Sequence, residues 1–135
     1  MPTESARLRE FALRYTAAWC SQHPASVAEF FSPDAALTVN NGTPAQGRTQ
    51  ITELARSFMT AFPDLKVTMD ELKVLNDGVE YNWTLSGTNT GPGGKGHRVH
   101  ISGFEKWRMG DDGLIASSQG HFDAAEYERQ IEHGT

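Results

Sequence analysis

The chain of 135 residues is 38% hydrophobic and 21% charged, a globular composition at the length of a single domain, residues 1–135, with enough chain to bury a core. Its formal net charge is −5 and its 12 Lys and Arg are scattered, which speaks against a nucleic-acid surface, and no apolar run approaches the roughly 20 residues of a membrane span. A single cysteine, Cys20, excludes an intrachain disulfide and a cysteine-based metal site and suits a reducing, cytoplasmic setting.

Residues 1–10 carry Glu4, Arg7, Arg9 and Glu10 and lack the apolar core of a secretory leader. Thr3 is placed to cap a first helix, with Glu4 in the first turn where negative charge suits the helix dipole. Leu8, Phe11, Ala12, Tyr15 and Trp19 then recur at helical spacing and bury one face. That helix is expected to fail near Gln22–His23. Pro24 suits the first position of a short second helix, with Val27, Phe30 and Phe31 inward and Ser32-Pro33-Asp34 at its end. Ala36 to Asn40 reads as a short strand and Asn41-Gly42 as a turn. After Gly47 a third helix carries Ile51, Leu54, Ala55, Phe58, Met59 and Phe62 on one face, until Pro63 stops it.

From Leu65 the period drops to two. Leu65, Val67 and Met69 alternate with polar residues, and Leu72 and Val74 continue out of phase, so a bulge is expected near Asp70–Glu71. Asn76-Asp77-Gly78 is a hairpin turn, and Val79, Tyr81, Trp83 and Leu85 share one face of the next strand. Beyond the Gly-rich loop from Asn89 to Gly96, Val99, Ile101, Gly103, Glu105 and Trp107 share a face, opposite His100, Ser102, Phe104, Lys106 and Arg108. A last turn at Gly110–Gly113 leads to a strand reaching about Phe122, and Asp123 caps a short helix through Tyr127 and Ile131. Helices first and an antiparallel meander after them give an α+β protein with helices on one face of a curved sheet.

Glu105 interrupts an otherwise apolar or small face. A carboxylate stripped of water there has its pKa raised, which suits proton transfer near neutral pH. The competing reading is a strand shifted by a bulge, returning Glu105 to solvent, or a structural hydrogen-bond partner. Trp19, Tyr15, Phe58, Tyr81, Trp83 and Trp107 are candidates for the lining of an apolar cavity and equally for plain core, and Asn40 is either a polar anchor or a turn residue. His97 and His100 point to opposite faces of a strand, so no metal site is expected. Cys20, beside Trp19, reads as a structural thiol. The loop Gly91–Gly96 lacks a P-loop pattern and reads as a mobile segment at a pocket mouth.

Phe31-Ser32-Pro33-Asp34 after two helices, Gly47 before the third, Phe62-Pro63-Asp64-Leu65, Trp83-Thr84-Leu85-Ser86-Gly87-Thr88, Val99 to Gly103, Trp107-Arg108, and Gly113-Leu114-Ile115 followed by Phe122-Asp123 make a set. With these features the chain resembles the SnoaL-like proteins, within the cone-shaped NTF2-like fold shared with ketosteroid isomerases and limonene epoxide hydrolases. The resemblance implies three N-terminal helices packed on a curved, mostly antiparallel sheet, a short C-terminal helix, a pocket between sheet and helices, and a homodimer through the outer sheet face. It also implies an acid/base Asp near the end of the last strand and a His on the adjacent strand. On this chain those positions fall on Gly120 and Glu105. Two functions follow as expectations. One is a cofactor-independent cyclase or isomerase acting on a small apolar carbonyl compound, with Glu105 as acid/base. The other is a binding module for a small apolar molecule, without chemistry. A third reading is an interaction module dimerising through Phe104.

Overall fold

The computed structural model describes residues 4–135, and the expected Thr3 cap lies outside the described residues. Helix α1, Glu4–Trp19, buries Leu8, Phe11, Ala12, Tyr15 and Trp19 as their spacing requires, with Thr16 and Ala18 beside them. It ends before the expected Gln22–His23, in a turn where Gln22 takes a φ of +61°. Helix α2, Pro24–Ala28, begins at its proline. Ser32-Pro33-Asp34 does not end this helix, because the chain is already in strand β1, Phe31–Val39. Pro33 cannot donate to a ladder, and the pairing of β1 is irregular between Phe31 and Ala36. A two-residue strand, β2 (Ala45–Gln46), follows, too short for any periodicity to announce it. Helix α3, Gly47–Ala61, buries Ile51, Ala55 and Met59, while Leu54 and Phe58 stay half-buried on its cavity side.

Strands β3 (Lys66–Leu75), β4 (Gly78–Thr88), β5 (Arg98–Met109) and β6 (Ile115–Phe122) form the meander. The expected bulge is present, as a register shift between Met69 and Glu71. The sheet has six strands in the order β2-β1-β6-β5-β4-β3 and does not close. Every neighbouring pair is antiparallel except β1 with β6, which is parallel. Helix α4, Ala124–His133, is capped by Asp123, whose carboxylate accepts the Glu126 backbone N–H at 3.0 Å. The α+β cone expected from the resemblance is therefore the observed architecture.

The core lies between the inner sheet face and the helices. Tyr81 stacks on Trp107 with ring centroids 4.9 Å apart, and Tyr15 meets both edge-on at 5.4 and 5.1 Å. Burying rings of this kind contributes roughly 1.5–3 kcal/mol each, which fixes α1 against β4 and β5. Val74, out of phase with Leu65, Val67 and Met69, is exposed. Cys20 is also exposed, yet tied down: its thiol donates to the Val67 carbonyl and accepts the Val67 N–H, both at 3.3 Å. The glycine-rich loop is pinned to the end of α3. Asn89 is buried, donates to the Ala61 carbonyl at 3.1 Å and accepts the Lys95 N–H at 3.3 Å. Among the described residues no helix is long and apolar enough to cross a membrane.

Candidate functional site

Alternation along β5 turns Glu105 inward, and register places it between Tyr81 on β4 and Gly120 on β6. It is buried, 8% exposed. Its Oε1 accepts three hydrogen bonds: from the Ser118 hydroxyl at 2.8 Å, the Trp107 indole at 3.0 Å and the Tyr15 hydroxyl at 3.0 Å. Oε2 receives only a share of the Tyr15 hydroxyl, at 3.2 Å. All three donors are neutral. Burial therefore wins, holding the Glu105 carboxyl above the ordinary Glu range, while Trp107, then Ser118, then Tyr15 pull it part of the way back. Tyr15 remains a protonated donor, because burial first and the adjacent Glu105 charge second push its pKa well up.

Beside Glu105 lies a cavity of about 70 Å³. Trp19, Phe58, Tyr81 and Trp83 line it, joined by Leu37, Val39, Leu54 and Phe122. Among the described residues Glu105 is the one charged residue in its wall, which Gly120 also lines. Tyr15, Trp107 and Ser118 stand outside this wall, and Oε2 is the oxygen of Glu105 with the fewer donors. The Tyr81 hydroxyl is committed elsewhere. It donates to Thr16 Oγ1 at 2.5 Å, since Thr16 gives its own hydrogen to the Ala12 carbonyl at 2.8 Å.

The expected lining thus divides. Trp19, Phe58, Tyr81 and Trp83 reach the cavity, but Tyr15 and Trp107 do not: both pack behind Glu105 and hold its carboxylate. Asn40 lies elsewhere. With φ at +50° it joins two strand ends, its Oδ1 accepting the Phe122 N–H at 2.9 Å, and it borders a separate shallow depression with His121 and Phe104. His97 turns its Nδ1 to the Ile131 carbonyl at 2.9 Å and serves to hold α4. Two residues escaped sequence reasoning. Ser118 shares the inner face of β6 with Gly120, a signal readable only once β6 is paired with β5. Tyr127 enters the wall from α4, its ring 5.4 Å from that of Phe122, and its place one helical turn before Ile131 was the available sign. Among the described residues neither the Tyr127 hydroxyl nor the Trp83 indole N–H makes a hydrogen bond. Both belong to residues of the cavity wall.

The family profile of the SnoaL-like polyketide cyclases matches residues 9–131. The chain belongs to that family. No curated protein matches this SnoaL-like chain. Among solved structures it is similar to TsrD from Streptomyces laurentii, with 22% identity and a TM-score of 0.82 over 96% of this chain and 98% of that one. It is similar to a ketosteroid isomerase-like protein from Catenulispora acidiphila in complex with trimethylamine, with 18% identity and a TM-score of 0.79 over 91% of this chain and 92% of that one. It is also similar to SalBIII, an epoxide hydrolase/cyclase-like enzyme in pyran ring formation in the polyether salinomycin, with 18% identity and a TM-score of 0.78 over 91% and 95% of the two chains. At these identities the likeness is one of fold.

Proposed function

We propose that this SnoaL-like protein binds a small, largely apolar carbonyl compound and that Glu105 moves a proton on it, as a cofactor-independent cyclase or isomerase. The observation that carries the reading is a buried carboxylate, the single one among the described residues of an apolar cavity wall, with Oε1 taken by three donors and Oε2 by a shared hydroxyl. The ionised form takes a proton from the carbon next to the carbonyl. The electron pair moves into the carbonyl, giving an enolate, and the proton returns to carbon when bonds have rearranged. The Trp83 indole and the Tyr127 hydroxyl are the donors available to the enolate oxygen. A raised pKa makes Glu105 a stronger base once ionised and keeps the returning proton available. Cyclase-like SalBIII, on the same fold, supports the reaction class.

The test is hydrogen–deuterium exchange next to the carbonyl of ketones from acetone to acetophenone, followed by proton NMR in D2O. Exchange is expected with wild-type protein and its loss with Glu105→Gln, because a Gln oxygen still accepts from Ser118, Trp107 and Tyr15. Unchanged exchange in that variant removes Glu105 from the chemistry. A specific observation favours a second reading, a binding module without turnover: Gly120 stands where the family's strand-end Asp is expected. Ketone-dependent thermal stabilisation without any exchange would favour it. We also infer a homodimer through the outer sheet face, where the Phe104 and His121 rings lie 5.2 Å apart. A monomer mass by light scattering at micromolar concentration removes that inference.

A further inference from the structure

Two glycines face the cavity side of the sheet, and they are there for opposite reasons. At Gly103 a Cβ would overlap the His121 carbonyl oxygen and lie 2.5 Å from Trp83 Cζ2, so backbone and indole already occupy the space a side chain needs and glycine is obligatory. At Gly120 a Cβ would lie 3.5 Å from the Thr38 carbonyl oxygen, 3.6 Å from Glu105 Cγ and 3.9 Å from the Phe104 carbonyl oxygen. These are ordinary van der Waals separations, and Gly120 is not among the glycines with positive φ. Neither packing nor backbone conformation requires a glycine in mid-strand, where the lack of a side chain weakens the strand. Yet the position is buried and forms the cavity wall directly across the ladder from Glu105.

We propose that Gly120 is the specificity-determining residue of the site: its bare backbone leaves a notch beside the Glu105 side chain that seats the ligand, and the notch sets how large a group lies against Glu105. The proposal deepens the carbonyl-compound reading and rests on it for the ligand's chemistry, though not for the notch. A methyl group at 120 would enter the wall in contact with the Glu105 side chain, 3.6 Å from its Cγ. The cavity is about 70 Å³, so one added methyl removes a large share of it and cannot be absorbed elsewhere.

The experiment compares wild type with Gly120→Ala. Because the Cβ fits, the variant is expected to melt at the wild-type temperature or above it, as glycine-to-alanine changes do where the native conformation suits both. A fall of several degrees means that glycine serves the fold and overturns the proposal. The ratio of exchange rates for acetophenone over acetone is expected to fall at least tenfold in the variant, and an unchanged ratio overturns the proposal. Xenon, an apolar probe that enters cavities of this kind, gives a readout independent of chemistry. In wild type it should perturb the Gly120 amide resonance, and in Gly120→Ala that perturbation should vanish. If wild type exchanges no ketone but the xenon effect is lost in the variant, the proton-transfer reading falls and the notch stands. If exchange depends on Glu105 but xenon and ketone size ignore residue 120, the notch falls and the chemistry stands.

Discussion

Two stretches of the inner sheet face, at Ser118 and Gly120 two residues apart along β6, are packed in opposite ways. Around Trp107 the space is filled. Tyr15, Tyr81 and Trp107 interlock, Ser118 is fully buried, and the described residues include no buried side-chain N or O lacking a partner. Around Gly120 the sheet leaves a cavity walled in part by half-buried rings, with two donors uncommitted. Glu105 stands at the boundary and belongs to both, its Oε1 held by three donors of the filled side and its side chain forming part of the cavity wall. The difference teaches how a single carboxylate can be structural and reactive at once. The filled side removes the freedom of the side chain, and the open side supplies room for a reactant.

The largest effect should come from the boundary itself. Glu105→Gln is expected to lower ketone exchange by about 10²- to 10⁴-fold, the usual contribution of a positioned acid or base. On the filled side, Trp107→Phe removes the indole donor and leaves part of a buried ring volume empty. A loss of about 3 kcal/mol in a urea titration is expected. Ser118→Ala removes one donor of small volume, for about 1–2 kcal/mol, and raises the pH midpoint of any Glu105-dependent exchange, since that hydrogen bond favours the ionised form. Equal midpoints in Ser118→Ala and wild type would mean that the filled side does not tune the acid.

The boundary also predicts a pH dependence. Burial raises the folded pKa of Glu105 above its ordinary value of 4.5, so the unfolded chain ionises first as pH rises. The stability this group contributes is full below that value and is lost as pH climbs through the raised folded pKa. The gap between wild type and Glu105→Gln should therefore shift in favour of the Gln variant from acid toward neutral pH, measured by denaturation at several pH values. A constant gap contradicts a raised pKa. Smaller still, Asp123→Ala should cost about 1 kcal/mol through loss of the α4 cap. On the open side, Tyr127→Phe should leave stability within about 0.5 kcal/mol while weakening ketone binding by up to about tenfold, the worth of one neutral hydrogen bond.

Much of this molecule was legible along the chain. The stripe from Leu8 to Trp19, the bulge near Asp70, the Asp123 cap and the inward turn of Glu105 all follow from local periodicity and capping chemistry. β1 was read short and β2 not at all, because a strand broken by Pro33 and a two-residue bridge carry no period. The site was legible in composition but not in arrangement. Tyr15 and Trp107 share the inward faces of their elements with Trp19 and Tyr81, and no alternation rule says which of them touch empty space. Asn40 and Ser118 took their roles from the parallel pairing of β1 with β6 and the antiparallel pairing of β6 with β5, contacts between residues far apart in sequence.

By itself, then, the sequence determined which face of each helix and strand goes inward, since burial of apolar side chains at periods of 3.6 and two is a local property. The tertiary structure alone decided which inward residues meet one another and where they fail to fill the space. Those outcomes depend on strand order and register, and on the volumes of side chains drawn from every element at once.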